Sequence, residues 1–358
     1  MRKYGSNAKI HQGYLMLALV IGFLGVLLTW ALRRSTPTEY SELQLAAAKR
    51  MQQAEAVLLE VVQEENIPIE DIDLNKTGLI GPEWTPLTTT PGIEDAKRTS
   101  LDPNIAAVLV RYFKEAGLNQ GDTVAVGTSG SFPGLLIATL CAAKEMDLDV
   151  KVILSFCSSM YGATRPELNV YRMMSILEEN DLITFDLLAV SPGGTNDYGE
   201  SALWPDSREL IFEMAAETGV EFIDYNDIEK SIARRLELFG EEIDCFVNVG
   251  GASANSGTSA YTLDFPMGLV LDPPKIPTTK NRGLMYEYAA RGVPVVNMLN
   301  MRQMAVDNGL AYDPVPMSEP GEGGVYYDVA YPLWLSVIAA VLMLAVLIVG
   351  RMRWKAEI

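Results

Sequence analysis

Residues 122–156 read DTVAVGTSGSFPGLLIATLCAAKEMDLDVKVILSF. The runs at 122–126 and 150–156 are strand-length and apolar almost throughout, as strands buried on both faces are. Between them, 133–145 reads as a helix opened by Pro133. A strand, a helix and a second buried strand make a parallel pair with a helical crossover. The alternation continues outward. Helices are expected at 104–116, 167–179, 207–218, 228–238 and 285–291, and strands at 185–190, 221–224, 244–249 and 294–298. The expected class is α/β: a mostly parallel sheet with helices on both faces, Rossmann-like and three-layered.

Two apolar runs flank this region, Tyr14 to Leu32 and Leu333 to Gly350. Each is close to the roughly 20 residues that a helix needs to cross a bilayer. Tyr14, Trp30 and Trp334 stand near the run ends, where amphipathic rings favour the interface. The exit of the first run, Thr29-Trp30-Ala31-Leu32-Arg33-Arg34, shows no small-x-small cleavage pattern, so an uncleaved anchor is expected rather than a signal peptide. Arg351, Arg353 and Lys355 follow the second run, and no Lys or Arg lies between Gln303 and Ala330. The positive-inside rule then places both termini in the cytoplasm and the middle region outside, in a two-pass plasma (inner) membrane protein. The expected divisions are a cytoplasmic tail (1–13), a transmembrane helix (14–32), a membrane-proximal helix (35–67), an α/β domain (68–312), a linker (313–330), a second transmembrane helix (331–350) and a cytoplasmic tail (351–358).

Thr36-Pro37-Thr38-Glu39 reads as the start of the membrane-proximal helix, with Thr36 as cap and Pro37 in the first turn. Its apolar stripe, Tyr40, Leu43, Ala47, Met51, Ala54, Leu58 and Val61, suits packing on its own domain or on a second copy. Residues 68–100 read as an irregular connection.

Charge narrows the partners. Residues 35–330 hold 45 of the 46 Asp and Glu but 20 of the 28 Lys and Arg, a formal charge of −25. A nucleic-acid partner is not expected of such a surface. With 3 Cys and 1 His, neither a disulfide scaffold nor a Cys/His metal cluster is expected.

In an open parallel sheet, ligands bind beyond the carboxyl ends of the strands. Four such ends carry small-residue loops: Gly127-Thr128-Ser129-Gly130-Ser131-Phe132-Pro133-Gly134, Cys157-Ser158-Ser159-Met160-Tyr161-Gly162, Ser191-Pro192-Gly193-Gly194-Thr195-Asn196-Asp197 and Gly250-Gly251-Ala252-Ser253-Ala254-Asn255-Ser256-Gly257. The candidate ligand- or anion-binding residues are Gly127, Thr128, Ser129, Gly130, Ser131, Ser158, Ser159, Gly193, Gly194, Thr195, Gly250, Gly251, Ser253 and Asn255. Small residues let main-chain N–H groups approach an anion, and a helix start favours negative charge. The first loop matches neither G-x-G-x-x-G nor a Walker loop, and no cofactor or metal is expected.

The only histidine, His11, falls in the expected tail, which removes Ser–His–Asp and Cys–His mechanisms from the middle region. A serine–lysine pair stays open, with Ser129 or Ser131 and a lysine that no spacing identifies. Cys141 and Cys245 read as packed hydrophobes, while Cys157, at a strand end, could be exposed. Asp197, Glu200 and Asp264 are rim carboxylates that could act as a pair, on Mg²⁺ or in acid–base work. Arg165, Lys275, Lys280, Arg282 and Arg302 are the cations that could meet a carboxylate or phosphate, though each alone reads as surface.

The two anchors, the segment GDTVAVGTSGSFPG and the loop VGGASANSG resemble the poly-gamma-glutamate system protein family, over nearly the whole chain. The resemblance implies a membrane component of a machine that makes or exports poly-gamma-glutamate, a capsule polymer. Its implied partners are the synthase amide ligase, that ligase's small membrane partner and the polymer; the small-residue rim adds a small anionic ligand as an expected partner, and the two apolar runs add the lipid bilayer. It supplies no catalytic residues. The leading expectation is an assembly or ligand-binding subunit without chemistry of its own. The alternative is an envelope hydrolase or transferase acting on gamma-glutamyl amides through Ser129 or Ser131.

Overall fold

The apolar run that opens the sheet forms strand β1, Thr123–Ser129, and its neighbour forms β2, Asp149–Ser155. Five more strands follow: β3, Asp186–Ser191; β4, Glu221–Phe222; β5, Cys245–Val249; β6, Gly268–Val270; and β7, Val295–Met298. Their order across the sheet is β4-β3-β2-β1-β5-β7-β6. Every neighbouring pair is parallel except β7–β6, which is antiparallel. The chain winds outward from β1 to β4, then returns to place β5 on the other side of β1. That reversal opens a crevice at the carboxyl ends of β1 and β5, where ligands bind in open parallel sheets.

The computed structural model describes residues 10, 12–199, 202, 204–272 and 275–356. His11, Glu200, residues 1–9 of the expected N-terminal tail and residues 357–358 lie outside the described residues.

Successive strand residues point to opposite faces, and each face meets its own core. Val124, Val126, Val152, Leu154, Val247, Val249 and Met298 join one cluster with helices Ser41–Glu64, Asn104–Glu115, Pro133–Glu145 and Val170–Glu179. Ala125, Ile153, Phe246 and Val295 join the other with helices Ile228–Phe239 and Gly283–Ala290. The sheet is thus covered on both sides, which explains strands without polar alternation. Pro133–Glu145 is buried on nearly every side, and its residues are correspondingly apolar or small all round.

The chain divides into two compact units: Glu39–Tyr326, and the segments Met1–Thr38 with Tyr327–Ile358. The long helix and the segment 313–326, expected as separate pieces outside the α/β domain, belong to the first unit. The helix buries Ala47, Met51, Ala54 and Leu58 against its own domain. Residues 313–326 are tied down by Arg98 to Asp313 at 2.7 Å and by the Tyr326 hydroxyl to Asn104 at 2.5 Å.

Three further corrections concern local structure. Arg34–Pro37 is an antiparallel strand paired with Tyr327–Ala330, and the helix begins only at Ser41. A distant pairing outcompetes the local capping signal of Thr36 and Pro37. The stretch 68–100 is not wholly irregular, for it holds the short strand Thr88–Thr90 and the helix Glu94–Thr99. Gly127, Thr128 and Ser129 lie inside β1 rather than in a loop.

In the second unit, the helices Gln12–Ala31 and Leu333–Ala356 are long and apolar enough to cross a membrane. The latter runs through most of the expected C-terminal tail. Small residues let the two helices pack closely. A Cβ on Gly25 would come within 2.2 Å of the Ala339 Cβ, and the Thr29 and Ser336 hydroxyls lie 2.8 Å apart. Met16, Phe23, Val26 and Val341 face outward, so these helices are not buried core helices.

Candidate functional site

All four small-residue loops reach one pocket of about 350 Å³. The end of β1 contributes Ser129, Ser131 and Phe132, and that of β2 contributes Cys157 and Ser159. Gly194 and Thr195 follow β3, and Gly251, Ala252 and Ser253 follow β5. A fifth wall comes from the stretch expected to be irregular: Thr89 to Ile93, Ala96 and Lys97. Leu299, just after β7, completes the rim. Thr88–Thr90 pairs in parallel with Ser158–Ser159, which brings the helix Glu94–Thr99 over the pocket.

Lys97 is the residue that sequence reasoning missed. Its side chain is 2% exposed and stacks on Phe132, with Nζ 4.0 Å from the ring centre. Nζ contacts the Ser131 carbonyl oxygen and lies 2.7 Å from the Ser159 Oγ. Among the described residues no carboxylate pairs with it. Burial without a counter-ion disfavours the charged form, and pulls the Lys97 ammonium from its ordinary 10.5 down to about 7. The Nζ donates to the Ser159 Oγ, and once it has lost its proton the amine has a lone pair 2.7 Å from that hydroxyl. The serine hydroxyl that Lys97 approaches is that of Ser159, rather than that of Ser129 or Ser131. Acids in the first turn of 94–99 and bases in its last are a helix signature that could have revealed the element. Nothing in the spacing links position 97 to position 159.

Ser129 and Ser131 stand beside this pair. The Ser131 Oγ accepts the Ser159 N–H at 3.0 Å, and the Ser129 Oγ accepts the Ser131 N–H at 3.4 Å. Neither hydroxyl proton has a protein acceptor among the described residues, and both side chains line the pocket. They are donors available to a bound oxygen. Gly250 keeps the space around Ser129 open: with φ +81° it suits a residue without Cβ, and a Cβ there would approach the Ser129 Oγ to 2.9 Å.

The other predicted site residues support the pocket without lining it. Thr128 is fully buried in the sheet, and Gly127 lies under Asn255, whose Oδ1 would be 2.4 Å from an added Cβ. Gly130 anchors its turn by donating to Ser155 O and Cys157 O, and Ser158 spends its hydroxyl on the Ser159 carbonyl. Gly193, with φ +79°, and Gly250 shape their turns from behind the surface, and the Asn255 side chain is wholly buried.

Asp197 is not a rim carboxylate. It forms a fully buried ion pair with Arg235 at 2.8 Å and accepts from the Ser191 hydroxyl at 2.8 Å. This network pins the 191–197 loop, in which Asn196 and Asp197 both take positive φ. Asp264 lines a different hollow with Lys275. Arg165 is buried against the Pro68 and Ile80 carbonyls and Glu70. Arg282 pairs with Glu287, and Arg302 lies over Tyr312. Cys157 is buried, not exposed, and burial pushes its thiol up to about 12.

No family model matches the chain, and neither a curated protein nor a solved structure does.

Proposed function

We propose that this chain is a membrane-anchored acyl hydrolase or transferase in which Ser159 is the nucleophile and Lys97 its general base. The observation that carries the reading is the 2.7 Å contact between the Ser159 Oγ and a buried lysine that has no carboxylate partner among the described residues. Neutral Lys97 takes the hydroxyl proton as the Oγ bonds to an acyl carbon. The carbonyl electron pair moves onto its oxygen, towards the Ser129 and Ser131 hydroxyls, in the role of an oxyanion hole. On collapse the bond to the leaving amine or alcohol breaks, and Lys97 returns the proton to that group. Water or another acceptor then attacks the acyl-serine by the same route, and Ser159 recovers its proton.

The strand order and the two helix layers support reading the unit as a Rossmann-like, doubly wound fold with this site at its switch point. The resemblance to poly-gamma-glutamate system proteins supports a setting beside an amide ligase and its small membrane partner at the plasma membrane. The Lys and Arg asymmetry around the second apolar helix supports cytoplasmic termini and an extracytoplasmic α/β unit. A cysteine replacing Ser35 in a Cys-free chain should then react with an impermeant maleimide in intact cells; reaction only after lysis would reverse the orientation.

The chemistry is tested by ester turnover. The full chain in detergent should hydrolyse an activated ester. Ser159→Ala and Lys97→Met should each cut the rate about 10²-fold or more while leaving the circular dichroism unchanged. Undiminished turnover in both variants would refute the assignment.

A further inference from the structure

We infer that the pocket takes an uncharged acyl group, so that the donor substrate is a neutral ester or amide rather than a chain bearing carboxylates. The inference rests on the assignment of Ser159 and Lys97 as acyl-transfer groups.

The walls carry it. Ile93, Ala96, Phe132 and Leu299 supply apolar surface, and Ile93 is 67% exposed at the mouth. Among the polar groups of the lining, the hydroxyls of Ser129 and Ser131 are suited to a carbonyl oxygen. Among the described lining residues Lys97 is the only cation, and its Nζ is already committed to the Ser131 carbonyl and the Ser159 hydroxyl. Arg302, three residues beyond Leu299, lies over the Tyr312 ring. Arg98 holds Asp313 and the Ile72 carbonyl, and Arg235 holds Asp197. A carboxylate entering here would shed its water, and Lys97 could pair with it only by holding a proton and so ceasing to be the base. The −25 charge of residues 35–330 adds long-range repulsion. An uncharged acyl chain meets neither cost and gains from covering apolar surface.

The test compares donors of equal length and equal leaving group: p-nitrophenyl butyrate and the p-nitrophenyl half-ester of succinate, with gamma-glutamyl-p-nitroanilide as a third donor. All are assayed on the full chain in detergent, with Ser159→Ala as the blank. The butyrate should show a kcat/KM about tenfold or more above the succinate half-ester, because only the latter must bury a carboxylate. The anilide should turn over no faster than the blank. Leu299→Arg places a cation at the rim and should narrow the butyrate-to-succinate ratio severalfold, an effect that mere loss of packing would not produce. A succinate half-ester equal to or faster than the butyrate, or brisk Ser159-dependent turnover of the anilide, would overturn this inference and leave the acyl-transfer reading standing. A Ser159→Ala blank as active as the parent on every donor would overturn both.

Discussion

At the scale of single residues the site turns on how Lys97 loses its charge. Its Nζ sits over Phe132, between a carbonyl and a hydroxyl, and desolvation brings its proton affinity down to about 7. The same shift leaves a mark on stability. Between about 7 and 10.5 the unfolded chain keeps a proton that the folded chain has released, so stability should rise with pH across that window and fall as pH drops towards 7. Lys97→Met should flatten this slope, as read from Tm between pH 7 and 10; an unchanged slope would mean that Lys97 is not desolvated. The serines were legible in the sequence because runs of small residues directly follow solid apolar strands. Lys97 was not, because its partners lie 34 and 62 positions away and only the folded chain brings them together. Asp197 was misread for the converse reason. An acid in a glycine-rich loop looks solvated until Arg235, 38 positions later, is found beneath it.

At the scale of elements, what the sequence reveals depends on length and on the source of the stabilising contacts. Strands β1 and β2 and the helix Pro133–Glu145 stand out because each is long, apolar and bounded by turn residues. Strand β6, only Gly268–Val270, carries too little pattern to be seen, and its antiparallel pairing with β7 is a tertiary fact. The Thr88–Thr90 strand and the helix Glu94–Thr99 escaped for the same reason, and they form the fifth wall of the pocket. Arg34–Pro37 shows a local signal losing to a remote one: Thr36 and Pro37, which look like the start of a helix, pair instead with Asp328 and Tyr327. The capping box is worth about 1 kcal/mol, which a distant strand partner can outweigh. The rim formed by the ends of β1, β2, β3 and β5 needed no single motif to be foreseen, because strand–helix alternation alone sends those four loops to one edge of the sheet.

At the scale of the whole molecule, a paired helix unit of membrane-spanning character accompanies an acidic α/β unit with a neutral pocket. The proposed function adds an enzyme held at the bilayer whose donor is uncharged at its reacting end. The central claim is that Ser159 is a nucleophile activated by Lys97. Its most direct test treats the full chain with a fluorophosphonate and maps the adduct by peptide mass spectrometry. The account predicts one adduct, on Ser159, forming at a rate that rises with pH through a midpoint near 7 and is lost in Lys97→Met. Labelling of Ser129 or Ser131 with Ser159 unmodified, or Ser159 labelling that persists without Lys97, would contradict it.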